Sequence, residues 1–289
     1  MTVAATQAHR TPTRSRRAGF SRSSALVILG VVALLGCSVG GPTGGGVRDD
    51  PARIELTIFA AASLKGALED VAGAYAAVAP EVALTFSTGA SSALRAQIEQ
   101  GAPADVLLSA DTTQPAALVD DGHTVGAPRI FAGNQLGIIV PSGNPAAIAT
   151  PADLARPGVK IVAAGDAVPI TAYATSLVAN LASADGYPRD FDERYAANVV
   201  SREDDVGAVV AKIELGEGDA AIVYRTDAVA SDSIATVEIP PEANVIASYA
   251  AVIIAGTPHA DAATAFLDWL IGPAGQAVLA RRGFSAPPP

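Results

Sequence analysis

The chain has 289 residues, of which 50% are hydrophobic and 17% are charged, so it can bury a sizeable core. Its formal net charge is −10, and no basic cluster occurs after residue 52. Nucleic acid is therefore excluded as an expected partner, because binding to phosphate backbones requires a basic surface.

Residues 1–36 are predicted to be a signal peptide. Five arginines between Arg10 and Arg22 precede an apolar run at residues 25–35, which is too short to span a bilayer. The run ends in Leu34-Leu35-Gly36-Cys37, which resembles the lipobox of bacterial lipoproteins. That resemblance implies cleavage before Cys37, lipidation of Cys37 and a membrane-anchored location on the extracytoplasmic side. The alternative is a free or buried cysteine.

Residues 37–52 are predicted to be a flexible tether, because they are rich in Gly and lack apolar periodicity. Loss of residues 1–36 would remove five Arg and no acid, and would change the formal charge from −10 to −15. Cys37 is the only cysteine, so no intrachain disulfide can stabilise the exported domain. The folded part is therefore predicted to start near Arg53 and to depend on packing alone.

From residue 53 onward, short apolar runs alternate with stretches of helical periodicity. The predicted strands are the runs IELTIFA, VALTFS, DVLLSA, LGIIVP, KIVAAG, AAIVY and YAAVIIA. The predicted helices are LKGALEDVAGAYAAV, SALRAQIEQG, TAYATSLVANLA, GAVVAKIELGEG and DAATAFLDWLIG. This alternation predicts an α/β fold with a parallel sheet covered by helices on both faces. Residues 140–158, rich in Pro and Gly, are predicted to be a loop-rich crossing between two regions.

Two of the predicted strand-to-helix turns are small and carry hydroxyl groups. Ser63 follows three alanines at the end of the first strand, and Ser91-Ser92 follow a short turn after the second. Open α/β sheets bind ligands at the carboxyl ends of their strands, where free helix N–H groups favour anions. Ser63 could alternatively cap the helix that it opens. Together the two turns indicate a site for a compact anion.

Other ligand and enzyme classes find little support in the sequence. Neither turn matches a nucleotide-binding fingerprint, and no G-x-S-x-G motif surrounds either serine. Only His123 and His259 remain after processing, so no Ser–His enzyme is predicted. The acidic runs at 190–193 and 203–205 are interpreted as solvated surfaces rather than metal ligands. A lipid-anchored domain that binds no small molecule stays an alternative.

The chain resembles the periplasmic molybdate-binding proteins of ABC import systems. The resemblance rests on motifs in family order from about Ile54 to Phe284. They are FAAAS at 59–63, RAQIEQGAPADVLLSAD at 95–111, GDAVPITAYA at 165–174, EDDVGAVVAKIELGEGDAAIVYRTDA at 203–228 and FLDWLIGPAGQAVLARRGF at 266–284. Each motif alone is weak, but their order is specific.

The resemblance implies a two-lobed type II periplasmic binding protein fold, with each lobe a mainly parallel sheet flanked by helices. Lobe one is expected at 53–131 plus 256–289, and lobe two at 132–255. The implied ligand is molybdate, with tungstate close to it in size, and the implied partner is an ABC transporter permease. No cofactor and no enzymatic activity are implied, and a monomer is expected. The same fold with another oxyanion, such as sulfate or thiosulfate, is the main alternative.

The resemblance also implies five ligand positions, which we carry over by motif. The hydroxyl donors are Ser63, Ser91 and Tyr224, and the backbone N–H donors are Ile170 and Val206. The second turn has two residues more than the family's usual form, Thr88-Gly89, so Ser92 is an alternative to Ser91. Tyr224 could instead be a core tyrosine with a satisfied hydroxyl.

Overall fold

The computed structural model describes residues 53–288. The predicted signal peptide at 1–36, the tether at 37–52 and Cys37 lie outside these described residues. Within 53–288, none of the helices combines the length and the apolar character that crossing a membrane requires.

Strands and helices alternate along the described chain, as the apolar periodicity predicts. The strands are β1 Ile54–Ala61, β2 Val82–Gly89, β3 Val106–Ser109, β4 Thr124–Pro141, β5 Ile161–Ala164, β6 Val199–Glu203, β7 Ala221–Tyr224, β8 Ile234–Val237 and β9 Ile246–Ile254. The helices are α1 Lys65–Ala76, α2 Ser91–Glu99, α3 Thr113–Asp120, α4 Pro169–Ser183, α5 Phe191–Ala197, α6 Val206–Glu214, α7 Arg225–Val229, α8 Ala260–Ile271 and α9 Pro273–Arg281. Short 3-10 turns occupy Ala62–Leu64 and Pro151–Ala155.

The first three strands form a parallel group. β1 pairs with β2 from Ile54 opposite Val82 to Ala61 opposite Gly89, and it pairs with β3 on its other side. Apolar residues are buried on both faces of this group, as expected for parallel strands covered by helices. Because the three strands run parallel, their carboxyl ends meet at one edge of the sheet.

Two long antiparallel strands connect this group to the rest of the fold. β9 pairs with β3 on one side and with β4 on the other. β4 pairs with β9 as far as Gln135 and then, from Leu136 onward, with β7 and β8. The chain therefore passes from one half of the sheet to the other inside a continuous strand.

The second half is smaller and mixed. β5 and β6 are parallel, and a parallel bridge from Ile161 to Ala220 connects them to the start of β7. The predicted α/β class is confirmed, and the sheet is mixed rather than purely parallel because β4 and β9 run against their neighbours. Residues 140–158 are loop-rich, as predicted, and contain one 3-10 turn. The prediction that they form the crossing between the two regions is wrong, because β4 crosses between Gln135 and Leu136.

The C-terminal segment is fixed against the crossing strand β4. The N–H of Gly133 donates to the carbonyl of Ser285, and the N–H of Ser285 donates back, both at 2.9 Å. A Cβ atom at Gly133 would overlap the Ser285 side chain, so this close approach requires glycine. This contact holds the crossing strand in place next to the candidate site.

Candidate functional site

Ser63 lies in the 3-10 turn between β1 and α1, and its side chain is buried. Its Oγ lies 2.8 Å from the hydroxyl of Tyr249. Neither Ala61 nor Leu64, the residues that precede the 3-10 turn and α1, makes a side-chain cap. The alternative that Ser63 caps its helix is therefore wrong, because the hydroxyl bonds to a residue of a different strand.

Ser91 is the first residue of α2, and its side chain is also buried. Its Oγ accepts a hydrogen bond from the N–H of Ala110 at 3.0 Å, so its own hydrogen is free to point elsewhere. Ala90 precedes the helix and provides no side-chain cap. The first N–H groups of α2 therefore have neither an intrahelical partner nor a side-chain cap.

Ile170 and Val206 lie in the first turns of α4 and α6. Pro169 opens α4, and the preceding residue, Val168, cannot cap it. Asp205 caps α6 by accepting the N–H of Ala208 at 2.9 Å, which satisfies one of the free groups at that end. The side chains of Ile170 and Val206 are buried, so only their backbone groups can serve a polar ligand.

Tyr224 ends β7 and is 1% exposed. Within the described part of the chain, its hydroxyl has no hydrogen-bond partner. Burial raises the pKa of this hydroxyl well above its ordinary value, with the nearby Tyr249 a smaller cause, so it stays protonated and can donate. A buried hydroxyl without a partner is costly, which points to a ligand as its acceptor.

The structure brings all five predicted residues together around one small cavity, about 200 Å³ of empty space that is partly open to solvent. The remaining wall consists of small or apolar residues: Ala61, Ala62, Gly89, Ala90, Ala110, Val168 and Pro169. Apart from Tyr224, the residues lining this cavity include none that ionises. Ser92, the alternative to Ser91, is not among the lining residues. The small walls let a compact ligand reach the backbone N–H groups directly.

The electrostatics of the cavity come from backbone dipoles and hydroxyls rather than from cations. The N-terminal turns of α2, α4 and α6 meet there, and the turn that leads into α1 joins them. Each helix N-terminus carries a partial positive charge of roughly half a proton. The cavity therefore offers an anion hydrogen-bond donors and a positive potential, although no cationic side chain lines it.

An acidic residue lies just behind the site. Asp227 accepts the N–H of Tyr224 at 3.2 Å in the first turn of α7. Loss of hydration raises the pKa of this carboxyl to about 7, and the charge of Asp205 adds to the effect. Near neutral pH this carboxyl is therefore partly protonated, which limits the negative charge beside an anion.

Three contributors to the site were missed from the sequence. Ala110 lines the cavity and holds Ser91, while Asn134 and Tyr249 lie behind Ser63 in β4 and β9. One signal could have pointed to Asn134. It forms an adjacent pair of amides with Gln135 in the mainly apolar stretch at 130–141, and because side chains alternate along a strand, one of the two must face inward and find a partner.

A larger cleft of about 850 Å³ lies between α4, α5 and the strands β5 and β6. It shares Ile170 with the candidate site, but it is mainly apolar. Its one arginine, Arg202, is paired with Asp166 at 3.1 Å. The smaller cavity is the better candidate because it contains the donors without protein partners.

The comparisons with known proteins agree with this geometry. The family model of bacterial extracellular solute-binding proteins matches residues 56–285. The chain belongs to this family. Its members are binding proteins, so the chain binds a solute outside the cytoplasm and is not an enzyme.

One relative is the molybdate-binding protein ModA of Mycobacterium tuberculosis strain H37Rv. It is 32% identical over 265 residues, which cover 91% of this chain and 96% of the relative. The resemblance to molybdate-binding proteins that the motifs indicated is thereby confirmed at the level of the whole domain.

Two solved structures share the fold. The periplasmic molybdate-binding protein of Azotobacter vinelandii has a TM-score of 0.68 and 24% identity, and the match covers 81% of this chain and 100% of that one. The sulfate-binding protein SubI of Mycobacterium tuberculosis has a TM-score of 0.71 and 24% identity, with 80% and 86% covered. The predicted two-lobed periplasmic binding protein fold is confirmed.

Proposed function

We propose that this protein captures molybdate, and also tungstate, in the cavity lined by Ser63, Ser91, Ile170, Val206 and Tyr224, and delivers it to the permease of an ABC importer. The observation that carries the proposal is the Tyr224 hydroxyl, which is buried and has no partner in the described part of the chain while it lines the cavity. The similarity to ModA supports the choice of ligand.

The donor set explains which anions fit. A tetrahedral dianion that enters a closed cavity loses its water, so each oxygen must receive hydrogen bonds from the protein. Neutral hydroxyls and N–H groups provide them. Phosphate keeps a proton near neutral pH and needs an acceptor, whereas molybdate, tungstate and sulfate are fully deprotonated. Among these three, the longer metal–oxygen bonds favour molybdate and tungstate in a cavity of fixed size.

The proposed division into lobes puts the donors on two sides of the ligand. Lobe one, at 53–131 plus 256–289, contributes Ser63 and Ser91, and lobe two, at 132–255, contributes the other three. β9 is hydrogen-bonded to β3, which favours moving the second boundary towards Ile246. Ligand would then select the arrangement in which both lobes meet. Small-angle scattering should give a smaller radius of gyration with molybdate; an unchanged radius in a sample that binds would contradict closure.

A thermal-shift panel tests the ligand. Any anion that binds only the native state raises the melting temperature by mass action. Molybdate and tungstate should each raise it, and an equal concentration of sulfate, phosphate or thiosulfate should have little effect. The alternative is that the protein binds sulfate, because the sulfate-binding protein SubI shares the fold. An equal or larger response to sulfate would favour it.

The membrane location is part of the proposal. We infer from the motif at 34–37 that Cys37 carries the lipid and holds the protein on the extracytoplasmic face. We propose separately that the protein acts as a monomer. Replacement of Cys37 by Ser should leave the protein unlipidated, and either unprocessed or released from the membrane fraction. A wild-type chain that fractionates as soluble material would overturn the anchor without affecting the proposed ligand.

A further inference from the structure

A buried chain of hydrogen bonds lies behind the Ser63 hydroxyl. Asn134 Nδ2 donates to Thr226 Oγ1 at 2.9 Å and to the hydroxyl of Tyr249 at 3.2 Å, and the Tyr249 hydroxyl lies 2.8 Å from Ser63 Oγ. All four side chains are at most 7% exposed. Water therefore cannot substitute freely for any member of this chain.

The number of available hydrogens determines which group donates and which accepts in each of these hydrogen bonds. Both amide hydrogens of Asn134 are used, one on Thr226 and one on Tyr249. The Tyr249 oxygen then accepts from Asn134, and its own hydrogen has Ser63 Oγ as its acceptor. Burial raises the pKa of the Tyr249 hydroxyl well above its ordinary value, so that hydrogen is retained. This orientation leaves one buried acceptor of Asn134, its Oδ1, without a partner among the described residues, whereas the opposite amide orientation would leave two buried N–H donors without partners.

This direction leaves the hydrogen of Ser63 for the cavity. Ser63 Oγ already accepts from Tyr249, and Ser63 lines the cavity, so its remaining hydrogen is available to a ligand oxygen there. Ser91 repeats the arrangement, because its Oγ accepts from the N–H of Ala110. In both turns the serine oxygen accepts a hydrogen bond from another strand or turn. The hydrogen of the serine is therefore left for a ligand in the cavity.

We propose that Asn134 and Tyr249 are positioning residues that hold Ser63 as a hydrogen-bond donor to the ligand and so favour oxyanions that carry no proton. The inference rests on the proposed function. The two residues lie in the crossing strands β4 and β9, where Asn134 is opposite Ala247 and Tyr249 is opposite Ala132. The strand pairing holds them rigidly, as an oriented donor requires.

A double-mutant cycle tests the proposal, with molybdate affinity measured by calorimetry. Tyr249→Phe removes one hydroxyl and keeps the ring, which packs edge-on against Phe131, Tyr224 and Phe284. We expect Ser63→Ala and Tyr249→Phe each to weaken binding about tenfold. The double variant should be no weaker than Ser63→Ala alone, because Tyr249 acts through Ser63.

A general structural role would give a different result. Loss of packing would act independently of Ser63, so the two effects would multiply; that outcome, or a Tyr249→Phe variant that binds like wild type, overturns the proposal. Tyr75→Phe is the matched control, since Tyr75 is buried on α1 against Phe266 and Trp269, away from the cavity, and should leave affinity unchanged.

Two further arms keep the test decisive. Should Tyr249→Phe fail to fold, Asn134→Ala takes its place in the cycle and should also show no added loss on Ser63→Ala. Wild type that fails to bind molybdate contradicts the proposed function instead, and the cycle is then run with the oxyanion that the thermal-shift panel identifies. If the effects of the two single variants on affinity for that anion multiply, the positioning role is overturned while the binding of that anion stands.

Discussion

The two ends of the parallel strand group β1–β3 differ in chemistry. The carboxyl end presents hydroxyls and helix N-termini around a cavity of about 200 Å³, whereas the opposite end forms a cleft of about 970 Å³. That larger cleft contains ionisable side chains: Glu55, Glu99, Asp105, His123 and His259. Among residues 53–288, no group of three or more His, Cys, Asp or Glu side chains is arranged to hold a metal ion.

The buried charge of the larger cleft is used internally. The carboxylate of Asp105 accepts the N–H of Thr57 at 2.7 Å and the hydroxyl of Thr257. In the smaller cavity, by contrast, the Tyr224 hydroxyl has no partner within the described chain. Donors without protein partners, rather than the volume or charge of a cleft, therefore identify the binding end of the sheet.

The largest expected effect is a loss of stability on replacing Asp105, which lies at the end of the β1–β3 group opposite the candidate site. Asp105→Ala leaves the buried N–H of Thr57 without its charged acceptor, so we expect the free energy of unfolding to fall by about 3 kcal/mol. Molybdate affinity should stay within twofold of wild type. Urea unfolding and calorimetry measure the two quantities, and an affinity loss in a folded variant would contradict the separation of the two ends.

The control for this change is Glu99→Ala in the same cleft. Glu99 forms a partly exposed i,i+4 ion pair with Arg95 at 2.9 Å. Such a pair contributes only about 0.5 kcal/mol, so the control should unfold almost like wild type.

Tyr224→Phe should have the opposite effect to Asp105→Ala, because it should reduce molybdate affinity without reducing stability. Loss of the donor should weaken molybdate binding by about 1.5–3 kcal/mol, the range for a hydrogen bond to a charged group. The ligand-free protein should be as stable as wild type or more stable, because the change removes a buried hydroxyl that has no partner in the described protein. Reduced stability combined with unchanged affinity would show that Tyr224 is only a core residue.

These predictions depend on a site of which the sequence revealed only part. The strand-to-helix turns at Ser63 and Ser91 could be predicted, because each is a local pattern of apolar strand, small turn and helix. The chain through Asn134, Tyr249 and Ser63 could not be, since it joins residues 115 and 186 positions apart. Such contacts depend on how β4 and β9 cross, which apolar periodicity does not encode.

The fold itself was predicted unevenly for a related reason. The first part of β4 was missed because Gly126 and Pro128 interrupt its apolar pattern, and the strand pairing is irregular there, between Val125 and Arg129. Proline is tolerated in a strand at such irregularities, where no ladder hydrogen bond is lost. The short helices α3, α5 and α7 were also missed, since five to eight residues give too little periodicity.

The pH dependence of stability should report on Asp227. Its folded pKa of about 7 lies above the ordinary value of 3.8, so the folded state binds the extra proton. The associated stability is fully present below pH 3.8 and is lost as the pH rises through 7. A full shift corresponds to about 1.4 kcal/mol per pH unit, but residue Asp227 is only partly buried, so solvent screening reduces the effect and we expect about 1 kcal/mol in total between pH 5 and pH 7.

Asp227→Asn keeps the shape and an acceptor oxygen for the N–H of Tyr224, and it should flatten this dependence. Melting temperatures at pH 5, 6 and 7 measure it. A variant with the same slope as wild type would assign the pH dependence to another group.

The smallest expected effect concerns the second turn. Ser92→Ala should change molybdate affinity by less than about 0.5 kcal/mol, because Ser92 is not among the residues that line the cavity. Ser91→Ala should weaken binding on the scale of Tyr224→Phe. Calorimetry on the two variants decides between the serines, and the reverse order of effects would make Ser92 the ligand residue.

The most direct test of the proposed site is a crystal structure with molybdate and an anomalous map at the molybdenum edge. The metal centre should lie in the cavity, with its oxygens about 2.7–3.1 Å from Ser63 Oγ, Ser91 Oγ, Tyr224 Oη and the N atoms of Ile170 and Val206. An anomalous peak in the cleft between α4 and α5, in the cleft beside Asp105, or on the donors of one lobe alone would contradict the account.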